Sequence, residues 1–398
     1  MKQFIQNIIQ KHGGRLPGSD AEQKAQDDFQ QELKRFCHRV ERHPFTAPMH
    51  SMLGSLRIFC WGFYISMILY LFFPILSFFV ASINGILFIG HFYTYRFWLD
   101  FIFTQQPSSN VIGTIEPKKD VRSTLILAAH MDSAYEFSFW YYLKTIGMFL
   151  TLLSGSLIVL TPLLFGFDIF LTSVMGKESS ILQTITYIFW ILSPVTASMY
   201  WIHGKDAVDG AQDNLSGLAV ALACGKELSP KNNNNESNYL NHTRIKIISF
   251  GSEEAGLRGS SAYIRDHIQE LKKENAVLLN LEGIMKKDEL VIVTSELSTF
   301  SKYPKWLIER MEKAFMDCNQ PVNKSVHIIG ATDGSAFVMN GLPAITIIGQ
   351  CIHKLHESYH TRLDTPEHIE EEALEKTRDI LISFVKAWDQ DQTEKENH

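Results

Sequence analysis

The chain has 398 residues, of which 45% are hydrophobic and 20% charged, with a formal net charge of -6. This composition excludes a disordered chain, and the negative charge argues against a nucleic-acid-binding protein, whose phosphate-contacting surface is basic. The five cysteines are scattered without a Cys-x-x-Cys motif, so we expect reduced thiols rather than a disulfide framework.

The N-terminal segment gives no indication of a secretory signal. Residues 1–10 alternate polar and apolar side chains and lack the continuous apolar core of a secretory signal. Residues 20–36 have helical spacing, and Ser19 is a candidate N-cap because Glu22 follows three residues later.

The first apolar block predicts a membrane hairpin. Residues 58–90 contain no charged side chain, and as one helix they would rise about 50 Å, well beyond a hydrocarbon core of about 30 Å. Pro74 and the polar residues 82–85 offer breaks, so we predict two helices at about 58–76 and 79–97.

The second apolar block predicts another hairpin. Residues 145–167 and 181–202 are uncharged, and the polar segment 176–180 separates them. Aromatic residues at 140–142 and 200–201 occupy positions typical of membrane interfaces. The alternative is a pair of buried core helices, which seldom run beyond twenty residues without a charge.

Two hairpins return the chain to the side of the membrane that it left. Residues 1–57, 104–136 and 203–398 can therefore build one discontinuous domain, interrupted by transmembrane hairpins at 58–103 and 137–202. Basic residues flank the spans on the domain side, whereas the hairpin tips offer only Lys177. The positive-inside rule then predicts a multi-pass protein of the cell inner membrane with a cytoplasmic domain. The near absence of ionisable residues within the spans favours an anchor over a transporter.

The soluble segments alternate between strand and helix patterns, which predicts an α/β fold with a mixed β-sheet covered by helices. The polar segment 231–238 is expected to be a surface loop. Strands are predicted at 111–116, 124–129, 244–250, 276–281, 289–294 and 344–348, and further helices at 215–227, 257–271, 305–317 and 370–388.

Polar residues follow three of these predicted strands. His130 and Asp132 follow the second strand, Glu253 and Glu254 the third, and Glu282 the fourth. Sites in open α/β sheets form at the carboxyl ends of strands, so these side chains can converge. Taken singly, a His beside an Asp is more often a buried core pair than a pair of metal ligands. Two Glu residues at the start of a helix more often complement the helix dipole than bind a metal.

Taken together, five segments resemble the metal site of the M28 aminopeptidase family, in the family's order. The stretch Gly14-Arg15-x-Pro17-Gly18-Ser19 also resembles the family's N-terminal region. The likeness covers essentially all of the soluble sequence. The five segments are His130-x-Asp132, Gly210-Ala211-x-Asp213-Asn214-x-Ser216-Gly217, Phe250-x-x-Glu253-Glu254-x-Gly256-Leu257-x-Gly259-Ser260, Asn280-Leu281-Glu282 and Tyr359-His360-Thr361.

The resemblance implies a metallo-exopeptidase that binds two zinc ions and acts on peptides, and cobalt or manganese could occupy the same donors. It makes Glu253 the general base and Asp132 the residue that holds the His130 ring. The implied ligands are His130 and Glu282 for one zinc, Glu254 and His360 for the other, and Asp213 as the bridge between them.

Two departures from the family pattern leave alternatives open. Many family members have Asp at the position of Glu282, so a carboxypeptidase stays possible beside the favoured aminopeptidase. Residues 332–335 fall in the family's substrate-lining loop but differ from its commoner pattern, which leaves the residue preference open. An inactive receptor or scaffold is disfavoured because every implied ligand and the base are present, and a glutaminyl-cyclase-like transferase would need only one zinc. The sequence does not disclose the oligomeric state.

Overall fold

The structure is a computed structural model that describes residues 1–231, 239–350 and 357–394. The chain divides into two compact units. The first, here the α/β unit, comprises Met1–Met49, Gln105–Tyr135 and Asp206–His398, and the second, the helical unit, comprises His50–Thr104 and Glu136–Lys205. Except for Lys231, the predicted polar loop at 231–238 lies outside the described residues.

The α/β unit is built on a nine-stranded mixed sheet with the order β1-β2-β4-β3-β5-β9-β6-β7, and β8 pairs with β6. The central strands β4, β3, β5 and β9 are parallel, and β1 and β2 continue the sheet in antiparallel pairing. The strands are β1 Arg39–Ala47, β2 Gln106–Ile115, β3 Ser123–His130, β4 Thr243–Phe250, β5 Ala276–Glu282, β6 Val291–Glu296, β7 Ser301–Lys302, β8 Lys324–His327 and β9 Ala344–Ile348.

The α/β unit packs helices against this sheet. Every residue of β3 and β9 is buried, as expected of central strands covered on both faces. The predicted N-cap is confirmed, because the Ser19 hydroxyl accepts a hydrogen bond from the Glu22 N–H at 3.2 Å. The α-helices among the described residues are α1 Lys2–His12, α2 Asp20–Lys34, α3 Ser51–Tyr70, α4 Pro74–Leu87, α5 Ser138–Ile169, α6 Ser180–Thr196, α7 Ser216–Leu228, α8 Arg258–Lys273, α9 Lys305–Asp317, α10 Asp333–Met339 and α11 Glu371–Glu394.

The helical unit contains four helical segments that are long and apolar enough to cross a membrane. The predicted break at Pro74 is confirmed, since Pro74 begins α4, where its missing N–H costs nothing. The polar residues 82–85 do not break the helix, because they lie inside α4, where the Asn84 amide donates to the Phe59 carbonyl at 3.0 Å. With short 3-10 and π turns included, the candidate spans are Ser51–Tyr70, Pro74–Tyr93, Ser138–Val174 and Ser180–Trp201.

Candidate metal centre

The predicted convergence of strand ends is confirmed. Strands β4, β3 and β5 run parallel as neighbours, so their carboxyl ends meet at one edge of the sheet. His130 is the last residue of β3 and Glu282 the last of β5, while Glu253 and Glu254 follow β4. Asp213 lies in the short turn Ala211–Leu215 that leads into α7.

His130 is the centre of the first half of the cluster. Its Nε2 lies 3.0 Å from Asp213 Oδ1 and 3.4 Å from Glu282 Oε1. Glu253 Oε2 is slightly farther, at 3.9 Å from the same nitrogen. All of these side chains are largely shielded from solvent, so they form one enclosed group of donors.

His360 is the centre of the second half. Its Nε2 lies 3.3 Å from Glu254 Oε2 and 3.5 Å from Asp213 Oδ2. The Tyr359 ring stacks on the His360 ring with 4.0 Å between the ring centroids. Asp213 therefore turns one carboxylate oxygen toward each histidine, as a residue shared by two metal positions would.

The donor atoms fit a pair of metal ions. The sets His130, Asp213, Glu282 and Asp213, Glu254, His360 each offer ligand atoms within 4.8 Å of one another. The remaining oxygens Glu254 Oε1 and Glu282 Oε2 are buried without a hydrogen-bond partner among the described residues. Buried polar atoms normally have a partner, so these oxygens are available to a cation. Imidazole nitrogens combined with carboxylate oxygens suit zinc.

The electrostatics of the cluster also favour a cation. Burial raises the pKa of Glu282 to about 8, with repulsion from Asp213 and Asp333 adding to the shift. Burial likewise raises the pKa of Glu253 well above its usual value, and Glu254 and Glu282 repel its charge. Crowded, desolvated carboxylates of this kind are stabilised by bound positive charge.

Asp132 contacts the His130 ring and also holds the backbone of the two glutamates. Its carboxylate accepts the backbone N–H groups of Glu253 and Glu254, both at 2.9 Å. The His130 ring Nδ1 lies 3.0 Å from the backbone carbonyl of Asp132 and 3.5 Å from its carboxylate. Asp132 therefore supports the backbone of the two glutamates and places both its carbonyl and its carboxylate beside the histidine ring.

Two further residues that sequence reasoning gave no role support the ligands. The Asn214 amide donates to Glu282 Oε1 at 3.0 Å and to the Leu281 carbonyl at 2.8 Å. Asp364 accepts the N–H groups of Gln212 at 2.6 Å and Asp213 at 3.2 Å. The sequence signal for Asp364 was only its position four residues after His360.

Arg15 holds the two chain segments that carry His130 and Asp213. The side chain is completely buried. Its guanidinium donates to the carbonyls of Met131 at 2.8 Å, Asp209 at 2.8 Å and Gly210 at 3.2 Å. Gly210 has a φ of +60°, and a Cβ there would lie 2.8 Å from the guanidinium. A side chain at position 210 would therefore clash with the Arg15 guanidinium, so only glycine fits there.

Solved structures share this fold. A zinc aminopeptidase from Bacillus subtilis superposes with a TM-score of 0.54 at 17% identity, covering 96% of this chain and 93% of that one. An aminopeptidase from Aneurinibacillus sp. strain AM-1 gives 0.55 at 16% identity, with 97% and 93% covered. The glutaminyl cyclase of Porphyromonas gingivalis gives 0.56 at 14% identity, with 97% and 96% covered. The class is thus the mixed-sheet α/β fold of the zinc aminopeptidases.

Within that class, residues 196–385 match Peptidase family M28. Aminopeptidase YwaD of Bacillus subtilis is 31% identical over 185 residues, which are 44% of this chain and 37% of that protein. The chain therefore matches little more than a third of this curated relative's length. The predicted resemblance to the M28 family is therefore confirmed over residues 196–385.

Proposed function

We propose that this protein is a membrane-anchored zinc exopeptidase, most directly an aminopeptidase, that removes N-terminal residues from peptides. The observation that carries the proposal is Asp213, which turns Oδ1 toward His130 at 3.0 Å and Oδ2 toward His360 at 3.5 Å. A carboxylate shared in this way is the bridging ligand that a two-metal peptidase needs.

The proposed ligand sets follow from the geometry. His130, Asp213 and Glu282 would hold one zinc, and Asp213, Glu254 and His360 the other. Bound zinc supplies the positive charge that acidifies an attacking water, polarises the scissile carbonyl and holds a free α-amino group. Asn214 and Asp364 would orient the ligands Glu282 and Asp213 through the hydrogen bonds described above.

Glu253 is the proposed general base. Its Oε2 lies 3.9 Å from the ring nitrogen of the proposed ligand His130, and neither proposed ligand set needs Glu253 to be complete, so its carboxylate stays available to a water molecule. It would accept a proton from the water whose oxygen bonds to the scissile carbonyl carbon. It would then return that proton to the nitrogen as the C–N bond breaks, releasing an amino acid and a shortened peptide. Asp132 positions Glu253 by accepting its backbone N–H.

The proposed setting is the lipid bilayer, with the α/β unit in the cytoplasm. The four candidate spans support it, as do the large apolar side chains exposed along them, such as Ile191 at 75% and Phe72 at 70%. A water-soluble protein rarely exposes so much apolar surface. The orientation rests on the basic residues that flank the spans.

A glutaminyl-cyclase-like reaction is the second candidate, because the P. gingivalis glutaminyl cyclase shares the fold. The presence of both donor triads favours the peptidase, since a cyclase-like reaction would require only one zinc.

The test is an assay of purified protein in detergent, with and without a chelator and added zinc. Three substrates separate the candidates: aminoacyl p-nitroanilides, the same compounds with an acetylated amine, and peptides beginning with glutamine. We expect release only from the free amines, loss with the chelator and return with zinc. Release from acetylated compounds, or cyclisation of the glutaminyl peptides alone, would contradict the proposal.

Matched variants locate the chemistry within the site. Glu253→Gln should lower kcat by at least about 100-fold through loss of the general base, while zinc content stays unchanged. Glu41→Gln is the control, because Glu41 lies on β1 with its side chain 51% exposed. Equal activity of Glu253→Gln and wild type would remove Glu253 from the mechanism.

A further inference from the structure

The proposed site is rich in acceptors and poor in donors. Ionised Asp213, Glu253, Glu254 and Glu282 can only accept hydrogen bonds. During hydrolysis the scissile carbonyl oxygen gains negative charge, and hydrogen-bond donors fixed beside that oxygen lower the barrier. The reaction therefore needs a donor that the proposed ligands and base do not supply.

His327 is such a group. It is the last residue of β8, and its backbone carbonyl accepts the Leu297 N–H at 2.8 Å. Its Nδ1 is buried and has no hydrogen-bond partner among the described residues. A buried imidazole nitrogen without a partner is uncommon and points to a ligand that completes its hydrogen bonding.

The other ring nitrogen lies across Gly330 from Tyr359, the residue that precedes the proposed ligand His360. A Cβ built on Gly330 would lie 3.5 Å from His327 Nε2 and 3.8 Å from the Tyr359 hydroxyl. Tyr359 in turn stacks on the proposed zinc ligand His360. Gly330 has a φ of +83°, and because it has no side chain it places no side-chain atom between His327 and Tyr359.

His327 is also held rigidly. It pairs in register with Glu296 of β6. The Glu296 carboxylate accepts the Thr332 N–H at 2.9 Å and the Thr332 hydroxyl at 2.6 Å, which fixes the far end of the loop 328–331. Because the chain is held on both sides of the loop that follows His327, the imidazole needs little rearrangement when negative charge develops on a substrate oxygen.

The ring is neutral near pH 7. Burial lowers the pKa of His327 below its usual value, although the carboxylates of Glu296 and Asp213 oppose the shift. A neutral imidazole has one N–H donor and one lone pair. It can therefore donate to a substrate oxygen without repelling bound metal ions.

We propose that His327 is a catalytic residue that donates a ring N–H to the scissile carbonyl oxygen in the transition state. This inference rests on the proposed peptidase function and assigns one contact within it. The competing explanation is that His327 only fills space beneath the loop 328–331, in which case its replacement changes stability but not the chemical step.

The test compares His327→Ala and His327→Gln with wild type on aminoacyl p-nitroanilides. We expect His327→Ala to lower kcat by about 100-fold with KM changed by less than about threefold, as for loss of one transition-state donor. Glutamine keeps an N–H donor and should restore part of kcat. Zinc content and the melting temperature are measured for each variant, and His267→Ala, a partly exposed histidine paired with Glu270 on α8, is the control.

A second readout does not depend on turnover. Calorimetry on zinc-loaded protein measures binding of an α-aminophosphonate, which mimics the charged oxygen, and of the product amino acid. The phosphonate Kd should rise in His327→Ala in proportion to the loss of kcat/KM, with the product Kd unchanged. Unchanged kcat and phosphonate affinity in His327→Ala would overturn the inference while leaving the peptidase function standing. Wild-type protein that neither hydrolyses the anilides nor binds the phosphonate would overturn both.

Discussion

At the residue scale, Arg15 shows how a site can depend on a group far from it in sequence. Its guanidinium ties the Met131 carbonyl, which lies between His130 and Asp132, to the carbonyls of Asp209 and Gly210. Burial lowers its pKa to about 10, with the carboxylates of Asp364 and Asp132 opposing the shift. Arg15 therefore remains charged at neutral pH and stabilises both segments.

We predict that Arg15→Lys destabilises the protein and weakens zinc binding. A lysine ammonium cannot reproduce the planar fork, so at least one buried carbonyl loses its donor, which costs about 1–3 kcal/mol. Thermal unfolding in detergent and zinc titration measure the two effects. Arg39→Lys is the control, since the Arg39 side chain is 54% exposed. An Arg15→Lys protein with wild-type melting temperature and zinc affinity would show that the clamp is dispensable.

The site was only partly predictable from the sequence. The proposed ligands stand in short segments whose order resembles a family pattern, so the sequence alone was enough to name them. Asp364, His327 and the role of Arg15 could not be found in this way. Arg15 is 116 residues from Met131, and no local pattern records a contact across that distance.

At the element scale, the buried strands were predicted more accurately from the sequence than the edge strand. The central strands β3, β4 and β5 are almost wholly buried and were predicted almost to the residue. Edge strand β1 was missed because it contains Pro44 and several charged residues. Among the described strands it pairs only with β2, and an edge position tolerates both proline and charge. The helix break at Pro74 was predicted correctly. The second break, expected at the polar residues 82–85, does not occur, because the Asn84 side chain forms its hydrogen bond to the Phe59 carbonyl within the helical unit.

Helix α8 offers a pH test of the fold. Burial opposes ionisation of Glu270, but hydrogen bonds from Lys246 and His267 outweigh it and lower its pKa to about 2. The unfolded value is about 4.3. Because the folded pKa is the lower one, ionised Glu270 stabilises the fold above about pH 4.3, and this contribution is lost as the pH falls toward about 2.

Glu270→Gln should therefore be less stable than wild type at pH 7, with the difference shrinking below about pH 4.3. The Glu270 side chain is 43% exposed, so solvent screening limits the effect to about 1 kcal/mol or less. Denaturant unfolding across this pH range measures it. Glu309→Gln, on the exposed face of α9, serves as the control. A difference that stays constant down to pH 2 would contradict the assigned role.

At the scale of the whole molecule, the proposal is a peptidase unit interrupted twice by membrane hairpins. We predict that the protein stays in membranes washed with alkaline carbonate. In a cysteine-free background, Lys177→Cys, which lies between the third and fourth candidate spans, should react with an impermeant thiol reagent in intact cells. Lys286→Cys in the α/β unit should react only after permeabilisation. The reverse labelling pattern would invert the proposed topology, and release by carbonate would argue against the spans.

The central claim is that Asp213 joins two zinc sites, and counting zinc in purified protein tests it most directly. The account predicts about two zinc ions per chain in wild type, about one in Glu282→Ala and in Glu254→Ala, and a loss from both sites in Asp213→Ala. About one zinc per chain in wild type, unaffected by one of the two glutamate variants, would contradict it.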